Sequence, residues 1–511
     1  MEEAIHQNVF EKYVCNKKNL VIEWIKDPYN LGLVLIVLFA VLLRLYLNDL
    51  GQPLWWDEAE YMLQAKHLAF GTPNSGWNIV RPVLFPMICS FFYRIGFGES
   101  FFRFFIIGFS SLGIVVTYLI GKRLFNAKTG IIAGFLVSVF YLDLFMSGRL
   151  LIDMPSLSLG MLGVFLFWNG YIERMGSKWL IWSGIVLGVG IMFRYTIGLF
   201  VILILAYLIV TEKLGFLKNK RLWITALAGF VVMLPYFIWS TLKYGNPVHR
   251  MWVSLPGVEY SGGNQGLGQF LMYLKVLPGQ LGTVFLVVFI IALALFLFKL
   301  IIGFDLFLKG KEKVLNRQFF LFLWVLIPLM YFGFSFWIFE PRYVLYSFPP
   351  IFLFGAGFLS GLSDKVKANQ KIIVVLIVVI LIVFSGYSQF KMGKSLIDSK
   401  KDSYLELKQV GLWLKENTEK DVIVLNNGVP QNTYYSERET STVGTDYEEE
   451  FLDEMRERKP DYLVLSIWER SQPWLYSYPQ NHPEMLKPVM VFGREGEQMP
   501  RAVIYKFEEN F

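Results

Sequence analysis

Long apolar runs dominate this chain and leave few folds open to it. A helix of roughly 17–25 apolar residues is long enough to cross a bilayer, and about eleven such runs occur here. Hydrophobic residues make up 55% of the chain, more than one soluble core can hide. We therefore predict a polytopic α-helical membrane protein. The runs lie near residues 31–48, 101–123, 128–147, 152–172, 178–193, 195–211, 222–242, 281–301, 318–337, 343–361 and 371–390.

Basic residues occur in every second loop between these runs, and such loops usually face the cytoplasm. The alternation requires that residues 82–97 lie at the membrane–water interface instead of crossing the bilayer. Pro82 and Pro86 in this segment agree with that placement. It predicts a multi-pass plasma membrane protein with a cytoplasmic N-terminus. The basic loops contain Lys122 to Lys128, Arg174 and Lys178, Lys213 to Arg221, Lys309 to Arg317, and Lys365 to Lys371.

Charge divides the chain into two predicted domains. Residues 391–511 carry 16 Lys and Arg against 22 Asp and Glu, which leaves 32 against 19 for residues 1–390. The basic excess therefore belongs to membrane loops, so it does not indicate a nucleic-acid partner. We predict a membrane domain over residues 1–390 with outer loops at 49–100 and 243–280. The first loop is expected to carry amphipathic helices on the bilayer, and the glycine-rich second loop to be mobile.

The acidic tail, residues 391–511, has the pattern of a small α/β domain facing outward. We expect helices at 402–418 and 446–458. Strands are expected at 421–425, 461–465 and 501–506, in an arrangement resembling a parallel sheet. No glycine-rich phosphate-binding loop accompanies them, so a nucleotide site has no support.

Charged residues stand where apolar runs meet water, and one orientation places them all on the outer face. The acids are Asp57, Glu58 and Asp153, and the arginines are Arg81, Arg194 and Arg342. Charge beside hydrocarbon is costly and so indicates a functional site. Taken singly, each has a simpler reading: Asp57 could cap a helix over 58–70 with Glu60 at its third position, and lone arginines often snorkel to the interface.

The order of these residues resembles the polytopic GT-C glycosyltransferases. Asp57-Glu58 follows the first span, Arg81-Pro82 comes later in the same loop, and Arg149-x-x-x-Asp153-x-Pro155 precedes a later span. Glu340-Pro341-Arg342-Tyr343 completes the set. Within that class the chain is most similar to the dolichyl-phosphate-mannose protein mannosyltransferase and aminoarabinose transferase group over residues 30–360.

This resemblance implies transfer of a sugar from a polyprenyl phosphate to a hydroxyl-bearing acceptor. Asp57 matches the family's acidic catalytic residue, with Glu58 and Asp153 as supporting acids. Glu60 stands where some aminoarabinose transferases carry arginine, which argues against aminoarabinose as the sugar. The lipid phosphate is expected on Arg81, Arg149, Arg194 and Arg342. The residues expected beside the substrates are Tyr61, Tyr195, His249, Glu340 and Tyr343.

The residue types suit this chemistry. The acceptor hydroxyl must lose a proton to a base, and a carboxylate can take it. The departing phosphate needs guanidinium charge instead of a proton. One base with several arginines would then suffice, which predicts inversion by a single displacement. No cofactor is expected to be required, although Asp57 and Glu58 could together hold a divalent metal.

Two other functions remain open at this stage. A transporter would also place charges within its membrane domain, but it is expected to show paired repeats and broken helices at the midplane. An oligosaccharyltransferase would use a lipid diphosphate donor and is expected to carry a WWDYG-type motif in its tail. The tail sequence contains no such motif.

Overall fold

The computed structural model describes residues 24, 26–254, 266–308, 312–335, 339–362, 364 and 366–508. Much of the glycine-rich segment in the predicted loop 243–280 lies outside these ranges. Within them the membrane part is helical, and each predicted apolar run contains a helix. The long helices are Pro28–Leu47, Glu99–Leu124, Ala127–Ser138, Asp153–Phe167, Ser177–Phe193, Gly198–Glu212, Lys220–Tyr244, Thr283–Ile302, Lys313–Ser335, Phe348–Leu362 and Ala368–Lys400.

Eight helical segments in the described ranges are long and apolar enough to cross a membrane, and Ala127–Ser138 and Ser177–Phe193 are shorter apolar helices. The polytopic fold class is therefore confirmed. The run predicted at 128–147 divides into Ala127–Ser138 and Tyr141–Met146. The last span continues to Lys400, beyond the boundary predicted at residue 390.

The loop 49–100 contains two helices, Trp56–Phe70 and Leu84–Arg94. The second has 11 residues, too few to cross a bilayer. Met87, Phe91 and Ile95 recur every four residues and are exposed along one face of this segment. Such an apolar stripe suits a helix that lies on the bilayer. The first helix differs, because residues 58–65 are all buried.

The loop predicted at 243–280 is only partly a loop. The helix Lys220–Tyr244 precedes a short helix, His249–Val253, and Leu267–Leu281 is helical again. Gly266 and Gly268 therefore mark the start of a helix instead of belonging to a mobile loop.

The tail forms a five-stranded sheet with helices on both faces. The strands are β1 (Ile423–Leu425), β2 (Glu439–Ser441), β3 (Tyr462–Ser466), β4 (Leu486–Phe492) and β5 (Ala502–Phe507). Their order is β2-β1-β3-β5-β4. The prediction of a parallel sheet was wrong for half of it, because β5 runs antiparallel to both β3 and β4. The helices are Leu405–Asn417, Val429–Ser436, Glu448–Arg458 and Pro473–Asn481.

Alternate residues on the strands supply two cores. Val424 and Val464 pack with Leu414 of the helix Leu405–Asn417. Leu425 and Leu463 pack on the opposite face, with Phe451 and the neighbouring helices. This period of two buries both faces of the sheet.

The helix Val429–Ser436 is buried throughout and joins the tail to the loop 49–100. The Tyr435 hydroxyl accepts a hydrogen bond from the Leu54 backbone N–H at 3.0 Å. Lys66 pairs with Glu437 at 2.9 Å, and the Tyr434 hydroxyl donates to Glu99 at 2.8 Å. The tail is therefore packed against the helix that carries Asp57.

One buried ion pair within the bundle gives a stability prediction. Arg44 has no exposed surface and pairs with Asp143 at 2.5 Å while donating to Ser110 at 2.8 Å. Arg44→Met leaves a buried carboxylate uncompensated, which costs about 3–5 kcal/mol. We expect a lower midpoint of thermal unfolding in detergent, largely restored by adding Asp143→Leu. The exposed Lys394–Asp398 pair is the control: Lys394→Met should change little, and an unchanged midpoint for Arg44→Met would contradict the prediction.

Candidate active site

Asp57 lies between two arginines that come from distant parts of the chain. Its Oδ1 accepts a hydrogen bond from Arg81 Nη2 at 2.6 Å, and its Oδ2 accepts one from Arg342 Nη2 at 2.7 Å. The carboxylate stands in the first turn of the helix Trp56–Phe70, where the helix dipole also favours a negative charge. Both of its oxygens therefore have a guanidinium partner.

Each of these arginines also contacts a second acid. Arg81 Nε donates to Glu60 Oε2 at 2.5 Å, and Glu60 Oε1 accepts from Trp56 Nε1 at 3.0 Å. Arg342 Nε lies 3.7 Å from Glu340 Oε2. The result is a row of alternating charges, Glu60, Arg81, Asp57, Arg342 and Glu340.

Asp153 and Arg194 form a second pair near Tyr343. Asp153 is the first residue of the helix Asp153–Phe167, and its Oδ1 accepts a hydrogen bond from Arg194 Nη1. The Tyr343 ring centroid lies 5.9 Å from the Arg194 guanidinium and 5.8 Å from that of Arg342. The Tyr61 ring similarly lies 5.8 Å from Arg81. The structure thus brings together most of the residues that the sequence singled out.

Glu58 faces away from this row. It has no exposed surface, and it accepts hydrogen bonds from the Trp55 N–H at 2.8 Å and the Leu150 N–H at 2.6 Å. Arg103 and Arg149 lie 3.5 and 3.6 Å from its carboxylate. The predicted cap was therefore wrong: the helix begins at Trp56, so Glu58, not Glu60, is its third residue, and Glu58 bonds the N–H of the N-cap Trp55.

Two arginines near the site escaped the sequence analysis. Arg103 is fully buried and donates to the carbonyls of Gln52 at 2.7 Å and Gly148 at 2.6 Å. Arg250 is also buried, and it donates to the Arg81 carbonyl at 3.3 Å. One sequence feature could have identified Arg103: it is a single arginine inside an apolar run, and an arginine in such a position is rarely left unpaired.

His249 and Tyr195 occupy less central places. The His249 ring stacks on Tyr244 with a centroid separation of 4.7 Å, and it is the next residue, Arg250, that contacts the Arg81 backbone. Tyr195 follows Arg194 directly and begins the short 3-10 turn Tyr195–Ile197, beside Tyr236.

The charges around Asp57 change its acidity. Burial alone would raise the pKa of Asp57, but the Arg81 and Arg342 guanidiniums outweigh it and lower the pKa to about 2. Glu60 behaves differently, because burial raises its pKa despite the contact with Arg81. Asp57 is therefore the anionic partner of both arginines at neutral pH.

A cavity of about 440 Å³ opens beside Asp57. Asp57, Arg149, Glu340 and Arg342 are its charged lining residues. The other lining residues are aliphatic or aromatic, and the aromatic rings come from both the membrane part and the tail: Trp55, Trp56, Tyr141, Phe145 and Tyr404. The volume falls within the range of about 300–1,000 Å³ that is typical of small-molecule sites.

The arrangement does not fit the divalent metal considered for Asp57 and Glu58. Asp57 directs both oxygens at arginines, whereas Glu58 bonds backbone N–H groups in another direction. Across the described ranges, no group of three or more His, Cys, Asp or Glu is placed to hold a metal ion.

The family model described as Dolichyl-phosphate-mannose-protein mannosyltransferase matches residues 80–239. This range includes Arg81, Arg149, Asp153 and Arg194, and it begins after Asp57. No curated protein matches the sequence.

Solved structures share the fold over most of the chain. ArnT from Cupriavidus metallidurans bound to undecaprenyl phosphate is 13% identical with a TM-score of 0.65, covering 93% of this chain and 98% of ArnT. The oligosaccharyltransferase of Archaeoglobus fulgidus in its apo form is 13% identical with a TM-score of 0.64, covering 87% and 70%. The archaeal AglB of that organism, in complex with an inhibitory peptide and a dolichol-phosphate, is 12% identical with a TM-score of 0.62, covering 95% and 74%.

These matches confirm the resemblance drawn from the sequence. The chain has the GT-C fold, and it is similar to the mannosyltransferase and ArnT type within that class.

The pairing of Asp57 predicts how stability depends on pH. A carboxyl whose folded pKa is about 2, below its unfolded value, contributes stability that is complete above about pH 4 and is lost as the pH falls toward 2. The shift corresponds to about 2 kcal/mol. Between pH 5 and 2 the wild type should lose this much more stability than Asp57→Asn, measured as unfolding midpoints at each pH. Parallel losses in both proteins would contradict the assigned pairing.

Proposed function

We propose that this protein transfers a sugar from a polyprenyl phosphate donor to a hydroxyl group of an acceptor, by a single displacement that inverts the anomeric carbon. The observation that carries the proposal is the placement of the Asp57 carboxylate between Arg81 and Arg342. A carboxylate that can act as a base then lies directly beside two groups that can bind a phosphate. General-base catalysis and leaving-group stabilisation both require such proximity.

The arginines are proposed to bind the donor phosphate. Guanidinium groups bind phosphate oxygens with short, charge-assisted hydrogen bonds. Arg81, Arg194 and Arg342 are grouped around Tyr61 and Tyr343 by the contacts described above. Arg149 is held apart by its contacts with Glu58 and Trp55, and we assign it to the neighbouring cavity instead of the phosphate.

Donor binding would raise the pKa of Asp57. A phosphate that takes hydrogen bonds from Arg81 and Arg342 removes the partners that hold the pKa of Asp57 near 2. The carboxylate then becomes a stronger base at the moment when the donor is in place. The site therefore couples donor binding to the ability of Asp57 to accept a proton.

The proposed step is a single displacement at the anomeric carbon. The acceptor oxygen forms a bond to the anomeric carbon while the bond between that carbon and the phosphate oxygen breaks. The hydroxyl proton passes to Asp57, and the electron pair of the broken bond stays on the polyprenyl phosphate. Arg81 and Arg342 stabilise the charge on the departing phosphate. Asp153 orients Arg194, and Glu58 positions Asp57 through the backbone of Trp55.

The lipid partner and the membrane setting are part of this proposal. ArnT was solved with undecaprenyl phosphate and AglB with a dolichol-phosphate, and these ligands support a polyprenyl-linked donor here. We propose a plasma membrane location with the N-terminus in the cytoplasm, and with the site and the tail, residues 391–511, on the outer face. The basic loops described above support this orientation.

Asp57→Asn tests the role of the base. A lost general base costs roughly 10²–10⁴-fold in rate, so the release of polyprenyl phosphate from a radiolabelled polyprenyl-phosphate sugar should fall by about that factor in kcat. Asp398→Asn is the matched control, because Asp398 is exposed on the last span and pairs only with Lys394 among the described residues. Turnover that survives Asp57→Asn would remove Asp57 from the mechanism.

An oligosaccharyltransferase is the second candidate, because two of the neighbours carry that name. Such an enzyme takes its sugar from a lipid diphosphate. We expect the protein to release lipid phosphate from a polyprenyl-phosphate sugar and to leave the corresponding polyprenyl diphosphate sugar intact. The two lipid products separate by thin-layer chromatography, and release of the diphosphate with no release of the monophosphate would favour the second candidate.

A further inference from the structure

Tyr404 is held in an unusual backbone conformation at the point where the tail begins. Its φ is +67° and its ψ is 14°, and it precedes the helix Leu405–Asn417. Left-handed backbone is unfavourable for a residue with a large side chain. Such a conformation persists where the surroundings fix it, and it is frequent at ligand sites.

The ring of Tyr404 contacts two tryptophans. Its centroid lies 5.0 Å from that of Trp468 in a stacked arrangement and 6.2 Å from that of Trp55. Trp468 follows β3 of the tail and donates to Glu406 at 2.7 Å. Trp55 belongs to the loop that carries Asp57, so the strained residue brings an aromatic ring of the tail to the cavity beside Asp57.

The cavity presents charged groups as well as rings. Asp57, Glu340 and Arg342 line it and keep part of their side chains exposed. The Arg149 guanidinium also lines it and lies 4.1 Å from the centroid of the Trp55 ring. A ligand that fits such a lining has an apolar face for the rings and several hydroxyl groups that can donate to the carboxylates and accept from the guanidiniums. A pyranose ring has both.

The donor phosphate has a different place. Arg81 and Arg194, which the proposed function assigns to the phosphate, are not among the residues that line this cavity, whereas Asp57 and Arg342 belong to both groups. Asp57 therefore stands between a phosphate-binding side and an aromatic side. A base in that position can take a proton from a hydroxyl group held on the aromatic side.

We infer that the aromatic cavity binds a sugar ring of the acceptor, and that Tyr404 makes the tail one wall of this acceptor site. The inference rests on the proposed function and extends it, because it identifies the acceptor as a carbohydrate-bearing molecule. Tyr404 is then a specificity-determining residue, and the tail takes part in acceptor binding.

Sugar binding tests the inference directly. The protein is placed in phosphatidylcholine nanodiscs, which contain no sugar, and saturation-transfer NMR is recorded with methyl glucoside, methyl mannoside and N-acetylglucosamine. Glycerol serves as the hydroxyl-bearing compound without a ring. Tyr404→Gly removes the ring and tolerates the left-handed backbone, whereas Tyr404→Phe keeps the ring. Tyr447→Ala removes an exposed tyrosine elsewhere in the tail.

We expect saturation transfer to at least one of the sugars, but not to glycerol, in the wild type, Tyr404→Phe and Tyr447→Ala. In Tyr404→Gly the signal should fall about fivefold, as expected for the loss of one stacking contact. Binding of polyprenyl phosphate, the lipid product of the donor, should keep its wild-type affinity in Tyr404→Gly, because Tyr404 is not among the residues assigned to the phosphate.

The other outcomes contradict the inference in separable ways. No sugar signal in the wild type, or an unchanged signal in Tyr404→Gly, would show that the cavity is not a sugar site. A parallel loss of sugar binding and of polyprenyl phosphate binding in Tyr404→Gly would show that Tyr404 only supports the framework. If the wild type binds sugar but does not bind polyprenyl phosphate, the proposed function fails, and the acceptor role fails with it.

Discussion

A fully buried carboxylate, Glu58, holds the site together. It accepts a hydrogen bond from Leu150, 92 residues further along the chain, and one from Trp55, at the start of its own helix. Asp57 and Asp153 lie immediately beyond these two anchoring points. Removing one side of such a network would leave buried charge or backbone N–H groups without partners, which is costly. The placement of Asp57 and Asp153 therefore depends on the Glu58 side chain, which bonds the backbone shortly before each of them.

The tail extends the same framework from the other side. Tyr435 bonds the Leu54 backbone, and Lys408 Nζ donates to the Gly51 carbonyl at 2.8 Å. These contacts hold residues 51–54, which directly precede Trp55 and Asp57. The soluble domain is thus part of the support of the site, and through Tyr404 it also reaches the cavity. A domain with no catalytic motif of its own can still determine what the membrane part accepts.

The sequence predicted the spans and the charged cluster because both follow from the cost of placing polar groups beside hydrocarbon. It could not predict which acid faced the cavity, since Asp57 and Glu58 are neighbours and their directions depend on where the helix begins. That start was placed two residues too late. Buried Arg103 looked like part of an apolar run, and the antiparallel strands β4 and β5 of the tail depend on long-range pairing. No sequence pattern pointed to Tyr404, because its place beside the cavity depends on its backbone conformation.

In the proposed mechanism a donor phosphate replaces Asp57 as the partner of Arg81 and Arg342. A cryo-electron microscopy structure of the protein in nanodiscs with polyprenyl phosphate would reveal this replacement. We expect phosphate oxygens within hydrogen-bond distance of Arg81 or Arg342, with at least one Asp57–arginine contact broken. A phosphate bound elsewhere, with both contacts at Asp57 intact, would contradict it.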